Sequence, residues 1–259
     1  MSNTANQMAF KTDGSSHHNG VTNETNTIEI LNEKKIYPAI VEKRGGTKLK
    51  EDAVAGCKKI SIKRKADITQ GSFDWLNTTT HTHMFGDSFN EFLGKIKSFR
   101  ELSSNITSDK EFVEMVRDAF NQVCESALNN LTAEQLTEII QTGMVEPLKG
   151  FDVIVNDIQT KDIYKFNADD HPVVKYLSEG YVPTLTKVRE DATTSRKVVF
   201  IKNGQQRDCG FRIRVTSNNG INAFLGNSRA NKNSRIVIKL QQDNLPQLLE
   251  MVNSDQIKY

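Results

Sequence analysis

The sequence is poor in most features that announce a protein class. No run of ~18 apolar residues occurs, so no membrane-spanning helix is expected. Cysteine is sparse. Cys57, Cys124 and Cys209 stand far apart, an odd set with no CxxC spacing, which fits neither a disulfide framework nor the common zinc patterns. The first residues, MSNTANQMAF, offer neither a basic n-region nor an apolar h-region and do not read as a secretory signal. A reduced, cytoplasmic protein with buried free thiols is the expectation. Nucleotide and hydrolase signatures are missing as well. Gly45-Gly46-Thr47-Lys48 lacks the upstream glycine of a phosphate loop, and neither GxGxxG nor GxSxG occurs. The chain is therefore read as non-catalytic, with no cofactor and no bound metal.

What is present is organised by segment. Residues 1–25 are polar, rich in Asn, Ser, Thr and Gly, and read as a flexible tail that includes the pair His17-His18. From 26 to 86 the pattern is strand-like: TIEIL (27–31), IYPAIV (36–41) with Pro38 suiting an edge, KKISIKRK (58–65) and FDWLNTTTHTHMF (73–85). In 58–65, Ile60 and Ile62 alternate with Lys59, Ser61 and Lys63, so one face is apolar and the other basic. About 88–143 is helical. Phe89, Phe92, Leu93 and Ile96 hold helical spacing. Ser108-Asp109-Lys110-Glu111 opens a helix with Phe112, Val116, Phe120, Val123 and Ala127 on one stripe, and Thr132-Ala133-Glu134-Gln135 opens another before Leu136, Ile139 and Ile140. Gly143 is expected to end it and Pro147 to prevent its restart. Strands return over 151–157, 161–167, 196–203, 209–217 and 234–240. Asn203-Gly204 suggests a hairpin with a loop lengthened by Gln205-Gln206. Leu245, Leu248, Leu249 and Val252 mark a short terminal helix. The class expected is α+β, with twisted antiparallel sheets packed with a central helical segment. Residues 26–253 form one domain in this reading, and 254–259 form a tail.

The net charge of +2 conceals segregation. Lys34 to Lys65 holds eleven Lys/Arg against three Asp/Glu, Asp87 to Glu146 holds five against eleven, and Lys187 to Lys239 holds twelve against three. In 209–217, Arg212 and Arg214 alternate with Phe211, Ile213 and Val215. In 234–240, Ile236 and Ile238 oppose Arg235, Val237 and Lys239. Cationic rows on strands can track a phosphate backbone, and rings beside them can stack on bases. Lys58, Lys59, Lys63, Arg64, Arg212, Arg214, Arg229, Lys232 and Arg235 are the candidate phosphate contacts, with Trp75 and Tyr37 as stacking platforms. The loop 226–235 is the most nucleic-acid-like single segment. The same alternation also describes the ordinary solvated face of an antiparallel sheet, and Phe200, Phe211 and Phe224 read as core.

Competing chemistries have thinner support. His81-x-His83 on a strand would share a face, yet no Cys or carboxylate stands nearby at ligand spacing. A metal-dependent nuclease would draw on Asp152, Asp157, Lys161 and Asp162, with Asp169-Asp170 adding a ligand. A virion or scaffold interaction protein, with the polar tail as an assembly arm, is the third class.

The stretch RKVVFIKNGQQRDCGFRIRVTS…SRIVIKLQQDNLPQLLEMV resembles the strand–strand–strand–helix ending of the PC-four/Whirly type of single-stranded-DNA binder. In its size, helix-rich middle and short C-terminus NSDQIKY, the whole chain is similar to the single-stranded-DNA-binding proteins of schitoviruses. The resemblance implies a phage protein in the host cytoplasm that coats single-stranded DNA during replication and recombination. It also implies activation of late transcription through contact with the host RNA polymerase. In that family the extreme C-terminus is the activating region, so the resemblance carries a partner-contact role to Ser254 and Lys258. Many replication proteins end in acidic tails; here Asp255 is followed by Lys258.

Overall fold

The computed structural model describes residues 15–44, 51–65, 71–77, 110–217 and 236–259. The fold is α+β, and its contacts divide the chain into two compact units rather than one domain over 26–253. Met1–Ala66, Phe151–Lys165 and Gln256–Tyr259 form the first; Asp67–Gly150 and Phe166–Asp255 form the second.

The first unit begins with helix α1 (Ser15–Glu33). This corrects the reading of 15–25 as part of a flexible tail and of 27–31 as a strand; residues 1–14 lie outside the described residues. TIEIL alternates, but Asn23, Thr27 and Leu31 also recur every four residues, and all three are buried together with Ile28. Thr27 returns its hydroxyl to the Asn23 carbonyl at 2.7 Å, which suits a helix interior. After α1 the backbone turns at Lys35, whose φ is 51°. Asn32 then clamps the next segment: its amide donates to the Val41 carbonyl at 3.0 Å and its carbonyl accepts from the Val41 N–H at 2.7 Å. Of 36–41, only Val41 is strand.

The strands of this unit are β1 (Val41–Lys43), β2 (Ala53–Ala55), β3 (Lys58–Lys65), β5 (Asp152–Asp157), β6 (Asp162–Asn167) and β12 (Asp255–Lys258), adjacent in that order. β1, β2 and β3 pair antiparallel, but β3 and β5 pair parallel, with Ile60 opposite Asp152 and Ile62 opposite Ile154. The sheet is thus mixed, not purely antiparallel. Ile60, Ile62 and Ile154 pack with Ile28 and Leu31 of α1 in one core. Every residue of β5 is buried, as parallel strands require. The tail 254–259 is largely strand, and Tyr259 donates its N–H to the Lys161 carbonyl at 3.1 Å and its hydroxyl to Asn156 at 2.9 Å.

In the second unit, β4 (Gly71–Asn77), β7 (Val182–Lys187), β8 (Ser195–Lys202), β9 (Gln205–Arg207), β10 (Phe211–Ser217) and β11 (Ile236–Gln242) build an antiparallel sheet. Its order is β4-β11-β10-β8-β7, with β9 on β8. Helices α2 (Lys110–Asn130), α3 (Ala133–Ile140), α4 (Pro172–Ser178) and α5 (Leu245–Met251) complete it. The expected capping box opens α3: Thr132 accepts from the Gln135 N–H and Gln135 returns to the Thr132 N–H. Gly143 does not end that helix. It lies inside a π-helical turn, Gln141–Val145, that continues α3. Asn203 and Gly204 both take positive φ, 50° and 78°, the geometry of a two-residue hairpin turn. Gln205 and Gln206 pair with β8 and do not lengthen the loop. On α2, Phe120, Cys124, Ala127 and Leu128 are buried. Phe112, Val116 and Val123 of the expected stripe, the run Phe89 to Ile96, and His81 and His83 lie outside the described residues or side chains.

Candidate nucleic-acid interface

The cationic residues fall into two sets, one in each unit, and each is described in its own unit.

In the first, Lys58 and Lys59 are exposed on β3 and Lys63 is half-buried. The Lys58 ammonium is 3.7 Å from Asp152, and Lys59 sits over the Phe151 ring at 5.5 Å. Ser61, expected on the basic face, is buried and donates to Asp52 at 3.3 Å. Its register partner Val153 and that of Lys63, Val155, are also buried. The face is therefore not an open cationic row. Tyr37 is no stacking platform: it is 8% exposed, its hydroxyl donates to Asp152 at 2.9 Å, and Lys165 covers its ring at 4.7 Å. Burial and the Asp152 carboxylate raise the phenol's pKa, so the proton stays on. Sequence alone had no signal for this partnership, which joins positions 115 residues apart. The Arg64 side chain lies outside the description.

In the second unit the alternation of β10 is realised. Phe211, Ile213 and Val215 are wholly buried, while Arg214 is exposed and Arg212 partly so. Strand register adds two cations that the composition of single segments did not assemble. Lys197 of β8 stands opposite Arg212, and Lys239 of β11 stands opposite Arg214. Residues directly opposite in a ladder share a face, as do residues two apart along a strand. Four cations on three adjacent strands therefore occupy one side of the sheet. Trp75 of β4 is the register partner of Lys239, which extends the row to the next strand; its side chain is outside the description.

The electrostatics differ across this quartet. Arg212 is held by Asp243 at 2.9 Å and donates to the Gln241 side-chain Oε1 at 3.0 Å, and Lys197 forms an ion pair with Asp208. Arg214 has no carboxylate within ion-pairing distance among the described residues. Partial burial lowers its pKa, and the neighbouring Arg212 charge lowers it further. Lys239 is pushed down to about 8, first by burial and then by Arg214. Like charges directly opposite in a sheet are destabilising. Arg214 and Lys239 thus meet as like charges in direct register across two strands.

Other cations are structural. Arg196 is 2% exposed and donates to Asn129 at 2.8 Å, with Glu125 at 3.4 Å, tying β8 to α2. Arg229, Lys232 and Arg235 lie outside the described residues. Ser254 closes α5 by donating to the Leu249 carbonyl at 3.1 Å, and Lys258 is exposed on β12.

Of the carboxylates considered for metal binding, Asp152, Asp157 and Asp169 are engaged within the fold, whereas Asp162 keeps its Oδ1 buried without a hydrogen-bond partner. Asp152 faces Tyr37, Lys58 and Lys165, and Asp157 accepts from the Gln159 N–H at 3.1 Å. Among the described residues no group of three or more His, Cys, Asp or Glu is placed to hold a metal ion. Nor is any described helix long and apolar enough to cross a membrane. Cys124 and Cys209 are buried, as expected, but Cys57 is exposed at the β2–β3 turn.

Comparison with known proteins adds no guidance: no family model, curated protein or solved structure matches this chain.

Proposed function

We propose that this protein binds single-stranded DNA without sequence preference, using the cationic face of its second sheet. The observation that carries the reading is the pairing of Arg214 with Lys239 in direct register beside Arg212 and Lys197. A folded protein keeps such like-charge neighbours at a cost, and departures of this kind from local stability concentrate at functional sites. The anion they attract is extended, because the row crosses three strands and reaches β4 at Trp75. A sheet face suits an unpaired strand, which lies along the surface with its bases available for stacking. Duplex reading by a helix in the major groove has no counterpart in this face. Replication and recombination on phage DNA in the host cytoplasm is the setting that the sequence resemblance suggests for this activity, and a reducing compartment keeps the exposed Cys57 a thiol.

The test is a fluorescence titration of the full chain with oligo(dT), duplex DNA and RNA of equal length. Oligo(dT) is expected to bind most tightly and to quench Trp75, the chain's one tryptophan. The double variant Arg214→Glu/Lys239→Glu is expected to lose at least tenfold in affinity while retaining its circular dichroism spectrum. Equal binding by wild type and folded variant overturns the proposal, as does tighter binding of duplex.

A further inference from the structure

A cleft of about 450 Å³ opens at the other end of β8, lined by Glu179, Tyr181, Lys202, Asn203 and Gln205. Its volume is within the ~300–1,000 Å³ of small-ligand sites. The hairpin turn Asn203-Gly204 and the register pair Lys202–Gln205 fix one wall. The Tyr181 ring supplies another. It stands 5.5 Å from Tyr176, which in turn lies 5.3 Å from the buried Phe200, so the aromatic wall is anchored in the core. Lys202 places its ammonium 5.7 Å over the Tyr181 ring and donates to the Glu179 carbonyl. Interaction with the Tyr181 side chain raises the pKa of Arg207. The Glu179 carboxylate is near enough to act on both Tyr176 and Arg207.

These groups correspond to the parts of a nucleotide. A ring face covered by a side-chain ammonium accepts a base by stacking once the ammonium moves aside, and the displaced ammonium can then meet a phosphate. The Asn203 and Gln205 amides offer both donors and acceptors to a base edge, whereas a carboxylate only accepts. Guanine presents two adjacent N–H donors on its Watson–Crick edge, a match for one carboxylate; thymine and uracil present one, beside carbonyl oxygens that a carboxylate repels. We propose that this cleft holds a single unpaired guanine base, with the base on Tyr181, its N–H edge on Glu179 and its phosphate on Lys202. Whether the base belongs to a free nucleotide or to a strand, the recognising chemistry is the same. The proposal rests on the nucleic-acid reading only for its ligand class. Lys202 and Lys197 differ in parity along β8, so the cleft and the cation quartet use opposite faces of the sheet.

Calorimetric titration of the full chain with GMP, AMP, CMP and UMP tests it. GMP is expected to bind about tenfold more tightly than UMP, the scale of one stacked and hydrogen-bonded base. Glu179→Gln, an exposed position, should erase that preference, and Tyr181→Ala should weaken GMP about tenfold. No GMP binding, or equal binding by all four nucleotides, overturns the proposal. So does a preference that survives Glu179→Gln. Comparing dT oligonucleotides with and without one dG identifies the source. A gain from dG assigns the cleft to a strand, and GMP binding without such a gain assigns it to a free nucleotide. The Arg214→Glu/Lys239→Glu variant separates the two readings: it should keep GMP binding while losing oligo(dT).

Discussion

Lys239 is the residue at which two demands conflict. Its pKa of about 8 reflects a charge held partly out of water beside another charge. The sign of the linkage follows. The unfolded lysine keeps its proton to about 10.4, so between pH 8 and 10 the unfolded chain binds more protons and this group's contribution to stability rises with pH. Affinity for an anion runs the other way, because the folded lysine loses its charge in the same window. Oligo(dT) binding is therefore expected to weaken from pH 7 to 9.5 while the melting temperature gains a stabilising contribution from this position. Lys239→Met should flatten both profiles between those pH values. A binding profile unchanged by that substitution would remove Lys239 from the contact surface.

At the scale of elements, the strands with one buried face were the legible ones. KKISIKRK and FRIRV read as strands because period-two alternation survives wherever one face meets a core. TIEIL failed because five residues satisfy periods of two and 3.6 alike, and only the run back through Thr27 and Asn23 decides for a helix. The four-residue β12 left no signal of its own. Nor did the parallel pairing of β3 with β5, since nothing local to either strand specifies a partner about ninety residues away. The site was half legible for the same reason: Arg212 and Arg214 were visible as a row, but their partners Lys197 and Lys239 required the register. Turn chemistry was the strongest local cue. Gly204 takes a φ of 78°, which an L-residue adopts at a cost of ~1–2 kcal/mol. Gly204→Ala is expected to lower stability by about 1 kcal/mol in urea denaturation, with Cys124 and the rest of α2 still protected from exchange. A stability gain would show that the turn relaxes to another form.

At the scale of the whole molecule, a net charge of +2 coexists with a basic stretch of twelve Lys/Arg against three Asp/Glu from Lys187 to Lys239 because eleven Asp/Glu fall along the sequence between Asp87 and Glu146. Net charge is thus a poor guide to salt sensitivity. If the quartet neutralises about four phosphates, log affinity for oligo(dT) should fall with log salt at a slope near −3, from ~0.7 per phosphate on single strands. Arg214→Glu/Lys239→Glu should cut that slope by about half. A slope near zero in the wild-type chain would mean that the face meets no phosphates. Arg212 and Lys197, already paired with Asp243 and Asp208, exchange one anionic partner for another and contribute less to the free energy than to the geometry.

The adjacency of β3 and β5 has a kinetic side. These neighbouring strands belong to one sheet, yet the stretch from 67 to 150 belongs to the other unit, and the last strand of that sheet is also the last in the sequence. During translation the first unit emerges from the ribosome missing its central partner and waits for more than eighty residues before β5 can dock. Until then β3 presents an unpaired ladder, the kind of exposed template on which nascent chains associate wrongly.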